Sequence, residues 1–131
     1  DNGQITLYHY TDSTGAAGIK KSKVIKGSTD ETPIQNRRHG CGVYFTFIDP
    51  SNDPKKILLN NYDDAGQVVN SQRLWAKLDW VIELKVDRNK VKKVKNSNRD
   101  VYLYEGDVHL ENCQYSIFSL LRKPCETWPR A

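Results

Sequence analysis

The sequence predicts an α+β domain built mainly on antiparallel sheet. Two observations carry that expectation. Runs rich in β-forming residues, several of them alternating, recur at 5–10, 43–48, 80–86, 101–105 and 114–121. Only the early ones are separated by helical patterns, and the last three crowd together near the C-terminus. That order departs from the regular strand–helix alternation of a doubly wound parallel sheet. At 131 residues the chain is expected to be a single domain spanning 1–131, without internal repeats.

Each element has a local reason. The first strand, at 5–10, alternates and ends at Thr11-Asp12-Ser13-Thr14, whose side-chain oxygens can cap a short helix over 16–22. Asp12 or Ser13 is the expected cap. Val24-Ile25 is a brief apolar contact, and 27–40 reads as a long polar loop containing Pro33. Such a loop in a small domain often covers a ligand site. The strand at 43–48 is stopped by Asp49-Pro50, and Pro54 suits the first turn of a helix over 55–62, with Asn52 or Asp53 as cap. A second short helix is expected over 71–78, where Leu74, Trp75 and Leu78 have helical spacing. Trp80 to Val86 alternates clearly, 87–98 is a basic connector, and Glu105-Gly106-Asp107 turns the chain back before the last strand.

The hydrophobic fraction, 37%, supports one modest core. No apolar run reaches the ~18 residues of a membrane span, so no membrane partner is expected. The chain starts at Asp1 and holds no Met. A native start removed by processing or by design is therefore expected, with a leader as one source. The net charge of +4 is local: Arg88, Lys90, Lys92, Lys93, Lys95 and Arg99 fall within 88–99 with no acid, leaving −2 on the remainder. Such a run suits an acidic partner, whether a phosphate-bearing ligand, RNA or an acidic protein face, and it also suits a plain solvated surface. Cys41, Cys113 and Cys125 have no metal-ligand spacing, so no metal is expected. One disulfide plus a thiol would fit a secreted protein, with the pair undetermined. Cys41, between two glycines, reads as a small turn residue rather than a nucleophile.

Three islands carry the chemistry. Leu7-Tyr8-His9-Tyr10-Thr11 places a histidine in a strand, Gly40-Cys41-Gly42-Val43-Tyr44-Phe45-Thr46 a tyrosine, and Arg99-Asp100-Val101-Tyr102-Leu103-Tyr104 a carboxylate before one. The first island, followed by a Gly-containing helix, resembles the opening of toxin-type ADP-ribosyltransferases with a His-Tyr-Asp signature. The second resembles the Gly-x-Gly-Ile-Tyr-Phe of poly(ADP-ribose) polymerase catalytic domains, and in the third Asp100 stands before a Val-Tyr-Leu-Tyr strand as an acid does in those polymerases. The resemblance runs from about residue 5 to 121. It implies a fold of split antiparallel β-sheets with a few short helices, and an enzyme that uses NAD as substrate.

The chemistry needs these residue types. Nicotinamide departs through a transition state with oxocarbenium character, which a carboxylate at the ribose stabilises. The resemblance assigns His9 to the adenosine ribose and the Tyr10 backbone, with Thr11 beside it, to the nicotinamide end. It assigns Tyr44 to stacking on nicotinamide and Asp100 to the nicotinamide ribose. Tyr62 is matched to a second stacking tyrosine, and the basic run 88–99 to the loop that meets a protein or RNA acceptor. Asp100 is one methylene shorter than the polymerases' glutamate, which favours single transfer or NAD hydrolysis over chain building. It equally admits an inactive nucleotide-binding module. Glu105, Asp107 and above all Glu111 are rival acids, while His39 and His109 carry no assignment. Nothing matches the islands of the Arg-Ser-Glu transferases. A monomer, secreted or delivered into a target cell, completes the expectation.

Overall fold

The structure is a computed structural model that describes residues 3–28, 41–61, 75–94 and 100–120. It is α+β. The described elements are β1 (Gln4–Thr11), α1 (Ser13–Ser22), β2 (Val24–Ile25), β3 (Val43–Phe45), α2 (Pro54–Asn61), β4 (Trp80–Asp87), β5 (Val91–Lys93), β6 (Tyr102–Tyr104), β7 (Val108–His109) and β8 (Gln114–Ser119). Short 3₁₀ turns occupy Ala76–Leu78, Arg88–Lys90 and Leu110–Asn112.

All described strand pairs are antiparallel. One sheet has the order β1-β4-β8, a second β3-β6-β5, and a two-stranded ribbon joins β2 to β7. In the first sheet Leu7 faces Leu84 and His9 faces Ile82, and on the far side of β4 Ile82 faces Ile117. The two larger sheets meet where Tyr8 bridges Thr46, with Tyr8 N–H donating to the Thr46 carbonyl at 2.8 Å and Thr46 N–H to that of Tyr8 at 3.0 Å.

The period of two decides which way each side chain is buried. Leu7, Ile82, Leu84 and Val86 pack with Ile19, Ile25, Val43, Phe45, Val108 and Leu110 in the main core. Tyr10 and Val81, on the other face, pack under α2 against Ile57, Leu58, Trp75 and Leu78. A smaller cluster of Val94, Val101 and Leu103 packs against Tyr44.

Helix starts follow the capping logic. The Asp12 side chain accepts from Gly15 N–H at 2.8 Å, and Asp53 Oδ1 from Lys55 N–H at 3.0 Å. A Cβ on Gly15 would run into Thr11 Oγ1, which explains the glycine in the first turn of α1. Gly42 adopts φ +148° where a side chain would collide with the Tyr104 carbonyl, so β3 enters its sheet only through a glycine.

The structure departs from the sequence expectation in definite places. The strand expected over 43–48 ends as a ladder at Phe45, because Thr46 turns to β1 and Phe47 N–H is taken by Asp100. The stretch expected to be a connector contains a 3₁₀ turn and β5, since Val91 is a core residue and 91–93 pairs with β6. The strand expected at 101–105 is Tyr102–Tyr104, and the last one stops at Ser119. Of the helix expected over 71–78 only its end is described, as the 3₁₀ turn Ala76–Leu78. Tyr62, Lys95, Arg99, His39, Gly40, Cys125 and most of the loop expected over 27–40 lie outside the described residues.

Candidate active site

The three islands, far apart in sequence, converge on the seam between the two sheets. β1 carries His9, β3 carries Tyr44, and Asp100 stands two residues before β6. Tyr44 faces Leu103 across the β3–β6 ladder.

The His9 ring is half-buried, on the face of β1 that also carries Leu7. It lies edge-to-face with Phe45 at a centroid separation of 5.8 Å. Its Nδ1 lies 3.0 Å from the Tyr44 carbonyl. A carbonyl only accepts, so Nδ1 carries the hydrogen. Burial lowers the imidazole below its usual range, against the smaller opposing effect of that carbonyl. The ring is therefore neutral near pH 7, with Nε2 left as an acceptor. This hydrogen bond ties the first island directly to the second.

Asp100 is tied to the second island as firmly. Its Oδ2 accepts from Thr46 Oγ1 at 2.7 Å and from Phe47 N–H at 2.6 Å. Thr46 is buried at 2% exposure, and its hydroxyl also accepts from Ile48 N–H at 3.1 Å and Asn60 Nδ2 at 3.3 Å. The Asn60 amide holds the Asp100 backbone: Asp100 N–H donates to Oδ1 at 2.6 Å and Nδ2 donates to the Asp100 carbonyl at 2.9 Å. Asp100 Oδ1 takes part in none of the described hydrogen bonds. Tyr102 is held above its usual pKa by burial and then by the Asp100 charge.

The rival acids are placed otherwise. Glu105 is exposed and forms an ion pair with Lys92 at 3.8 Å. Asp107 accepts from Gly27 N–H at 2.8 Å. Glu111 is exposed in the 3₁₀ turn before β8, and β4 separates β8 from β1, roughly 10 Å of sheet.

Tyr10 shows a division of labour. Its side chain is core, with the hydroxyl donating to the Ile48 carbonyl at 2.7 Å, and burial pushes the phenol pKa up. Its backbone is another matter. Tyr8 turns its N–H and C=O toward Thr46, so the alternation of an antiparallel strand turns those of Tyr10 to the same edge. Thr11 closes β1 opposite Trp80. In the basic run, Lys92 is exposed and Lys93 Nζ stands 5.8 Å from the Tyr102 ring centroid. Arg88 and Lys90 lie on the 3₁₀ turn ahead of β5. Cys113 is a free thiol whose Sγ lies 3.6 Å from the His109 carbonyl. Among the described residues no cluster of His, Cys, Asp or Glu is arranged to hold a metal, and no helix is long and apolar enough to cross a membrane.

Sequence reasoning did not assign Thr46 or Asn60. Thr46 closes the second island and was legible as a neighbour. Asn60 carries no signal, because an asparagine near a helix end is ordinary.

Among known proteins, the family described as HYD1 signature containing ADP-ribosyltransferase matches this chain over residues 7–112. That span takes in all three islands and the described elements from the latter part of β1 to the turn before β8. No curated protein and no solved structure matches the chain. With the match covering most of its length and the fold of paired antiparallel sheets beneath it, the chain belongs to the toxin-type ADP-ribosyltransferases that contain the HYD1 signature.

Proposed function

We propose that the domain cleaves NAD at the bond between nicotinamide and ribose and transfers ADP-ribose once to a macromolecular acceptor. The observation that supports this reading most is that His9 is hydrogen-bonded to the Tyr44 carbonyl while Asp100 is hydrogen-bonded to Thr46 and Phe47, just beyond Tyr44 on the same seam.

Each residue has a role that suits its surroundings. Tyr44 offers its ring to nicotinamide. The Tyr10 backbone, at the open edge of β1, meets the carboxamide, with Thr11 next to it. His9, neutral and with Nε2 free to accept, takes a hydrogen bond from a hydroxyl of the adenosine ribose. Asp100 keeps Oδ2 on the protein and turns Oδ1 to the nicotinamide ribose. As the glycosidic bond breaks, nicotinamide leaves with the bonding pair and positive charge grows on the sugar carbon, where a fixed carboxylate stabilises it. The acceptor's nucleophile then forms the new bond and gives up its proton. Tyr62 is proposed as a second stacking ring. Arg88, Lys90, Lys92, Lys93, Lys95 and Arg99 are proposed to meet the acceptor, protein or RNA. The domain is read as a monomer that works after secretion or delivery, with no metal.

Nicotinamide release from NAD, followed by chromatography, tests the reading. Wild type and Glu111→Ala release nicotinamide, while Asp100→Asn loses roughly 10²–10³-fold in rate. The reverse pattern moves the acid to Glu111. Release without any ADP-ribose adduct on protein or RNA makes the domain a glycohydrolase, and nucleotide binding without release makes it an inactive module.

A further inference from the structure

Asn60 belongs to α2, outside the three islands, yet it is the side chain that grips Asp100 by its backbone. The grip uses both halves of the amide: Oδ1 accepts the Asp100 N–H at 2.6 Å, and Nδ2 donates to the Asp100 carbonyl at 2.9 Å. A neighbouring strand normally supplies such a donor and acceptor pair. Here the ladder of β3 with β6 runs only from Tyr102 to Tyr104, and Asp100 lies beyond its end. One planar amide therefore replaces the missing rungs. An asparagine or glutamine amide offers a donor and an acceptor on separate atoms of one planar group, whereas aspartate offers acceptors alone and leucine neither. The same Nδ2 reaches Thr46 Oγ1 at 3.3 Å, and that hydroxyl donates to Asp100 Oδ2. The amide thus touches the acid's main chain and the group that orients its carboxylate.

We propose that Asn60 is a positioning residue, setting where the Asp100 carboxylate sits when NAD is bound. The proposal rests on the reading of Asp100 as the acid of the NAD site. Asn60 touches no reacting atom and acts only through Asp100. Rates fall steeply when such a group is misplaced by as little as about 1 Å.

A double-mutant cycle on nicotinamide release tests it, with wild type, Asn60→Ala, Asp100→Asn and the double variant assayed well below their unfolding temperatures. Asn60→Ala is expected to lower kcat by about 10–100-fold with KM for NAD changed by less than about threefold. In the Asp100→Asn background the same change is expected to cost nothing further. An equal loss in both backgrounds, or no loss in the first, overturns the proposal and leaves the Asp100 reading standing. A wild type that releases no nicotinamide, or an Asp100→Asn variant with full rate, overturns both. If Asn60→Ala does not fold, the cycle is run with Asn60→Gln. That variant keeps both polar functions but shifts them by one methylene, and the same coupling is expected.

Discussion

The two three-stranded sheets are held together by different means. The β1-β4-β8 sheet is long in its first two strands, eight residues each, and buries Leu7, Val81, Ile82 and Leu84 completely. The β3-β6-β5 sheet has strands of three residues. Its margin at the seam is closed by side chains reaching backbone and by one buried hydroxyl: Asn60 on Asp100, Asp100 on Phe47, Thr46 on Asp100. Apolar area is nondirectional and tolerates small shifts, whereas hydrogen bonds fix distances. The first sheet contributes more of the completely buried side chains, and the margin of the second sets the geometry at the seam.

Four substitutions or conditions sharpen that contrast. The largest effect is expected in the first sheet. Leu84→Ala removes a completely buried side chain from the middle of β4 and is expected to cost about 2–5 kcal/mol in denaturant unfolding, with the rate per folded molecule near wild type. Equal losses in stability and in specific rate would erase the distinction. Thr46→Val should behave the opposite way. Shape is kept, but Ile48 N–H loses its acceptor and Asp100 a donor, so stability falls by about 1–3 kcal/mol while nicotinamide release per folded molecule falls by about tenfold or more. Asp12→Ala, at the cap of α1 beside the first sheet, is expected to cost about 1 kcal/mol in thermal unfolding without touching the rate.

The fourth is pH. Burial holds the His9 imidazole below its usual 6.5, so as the pH falls the unfolded chain takes up a proton before the folded one does. The stability this histidine contributes is complete above about pH 6.5, and it declines as pH falls from there toward the folded-state value. Melting temperatures for wild type and His9→Asn, scanned from about pH 7.5 to 5, should therefore diverge less at the acid end than at the neutral end. Parallel curves would mean that His9 is not buried neutral at the seam.

The same contrast explains what could be read in advance. β1 and β4 were legible because alternation of apolar and polar residues is a signal of burial on a face, and their observed ends differ from the expected ones by a residue or so. The Asp12 cap was legible from chemistry local to the turn. The convergence of the islands was legible through resemblance alone, since no periodicity says that Tyr8 bridges Thr46. The early end of β3 at Phe45 was not legible, because it depends on an acid 53 residues away taking the Phe47 N–H. β5 was hidden by its charge: Lys92 and Lys93 read as connector, and the strand shows itself in the burial of Val91 and the pairing of 91–93 with β6. Asn60 was invisible for the same reason as the Phe47 contact, since a hydrogen bond spanning 40 residues leaves no local trace.

The seam itself has a kinetic consequence. Rungs inside a ladder protect one another, because losing one leaves its neighbours in place. The reciprocal pair between Tyr8 and Thr46 is an isolated bridge without such neighbours. In hydrogen–deuterium exchange the Tyr8 and Thr46 amides should thus trade their protons through local opening, well before those of Ile82 and Leu84 in the central strand, which await unfolding of the whole sheet.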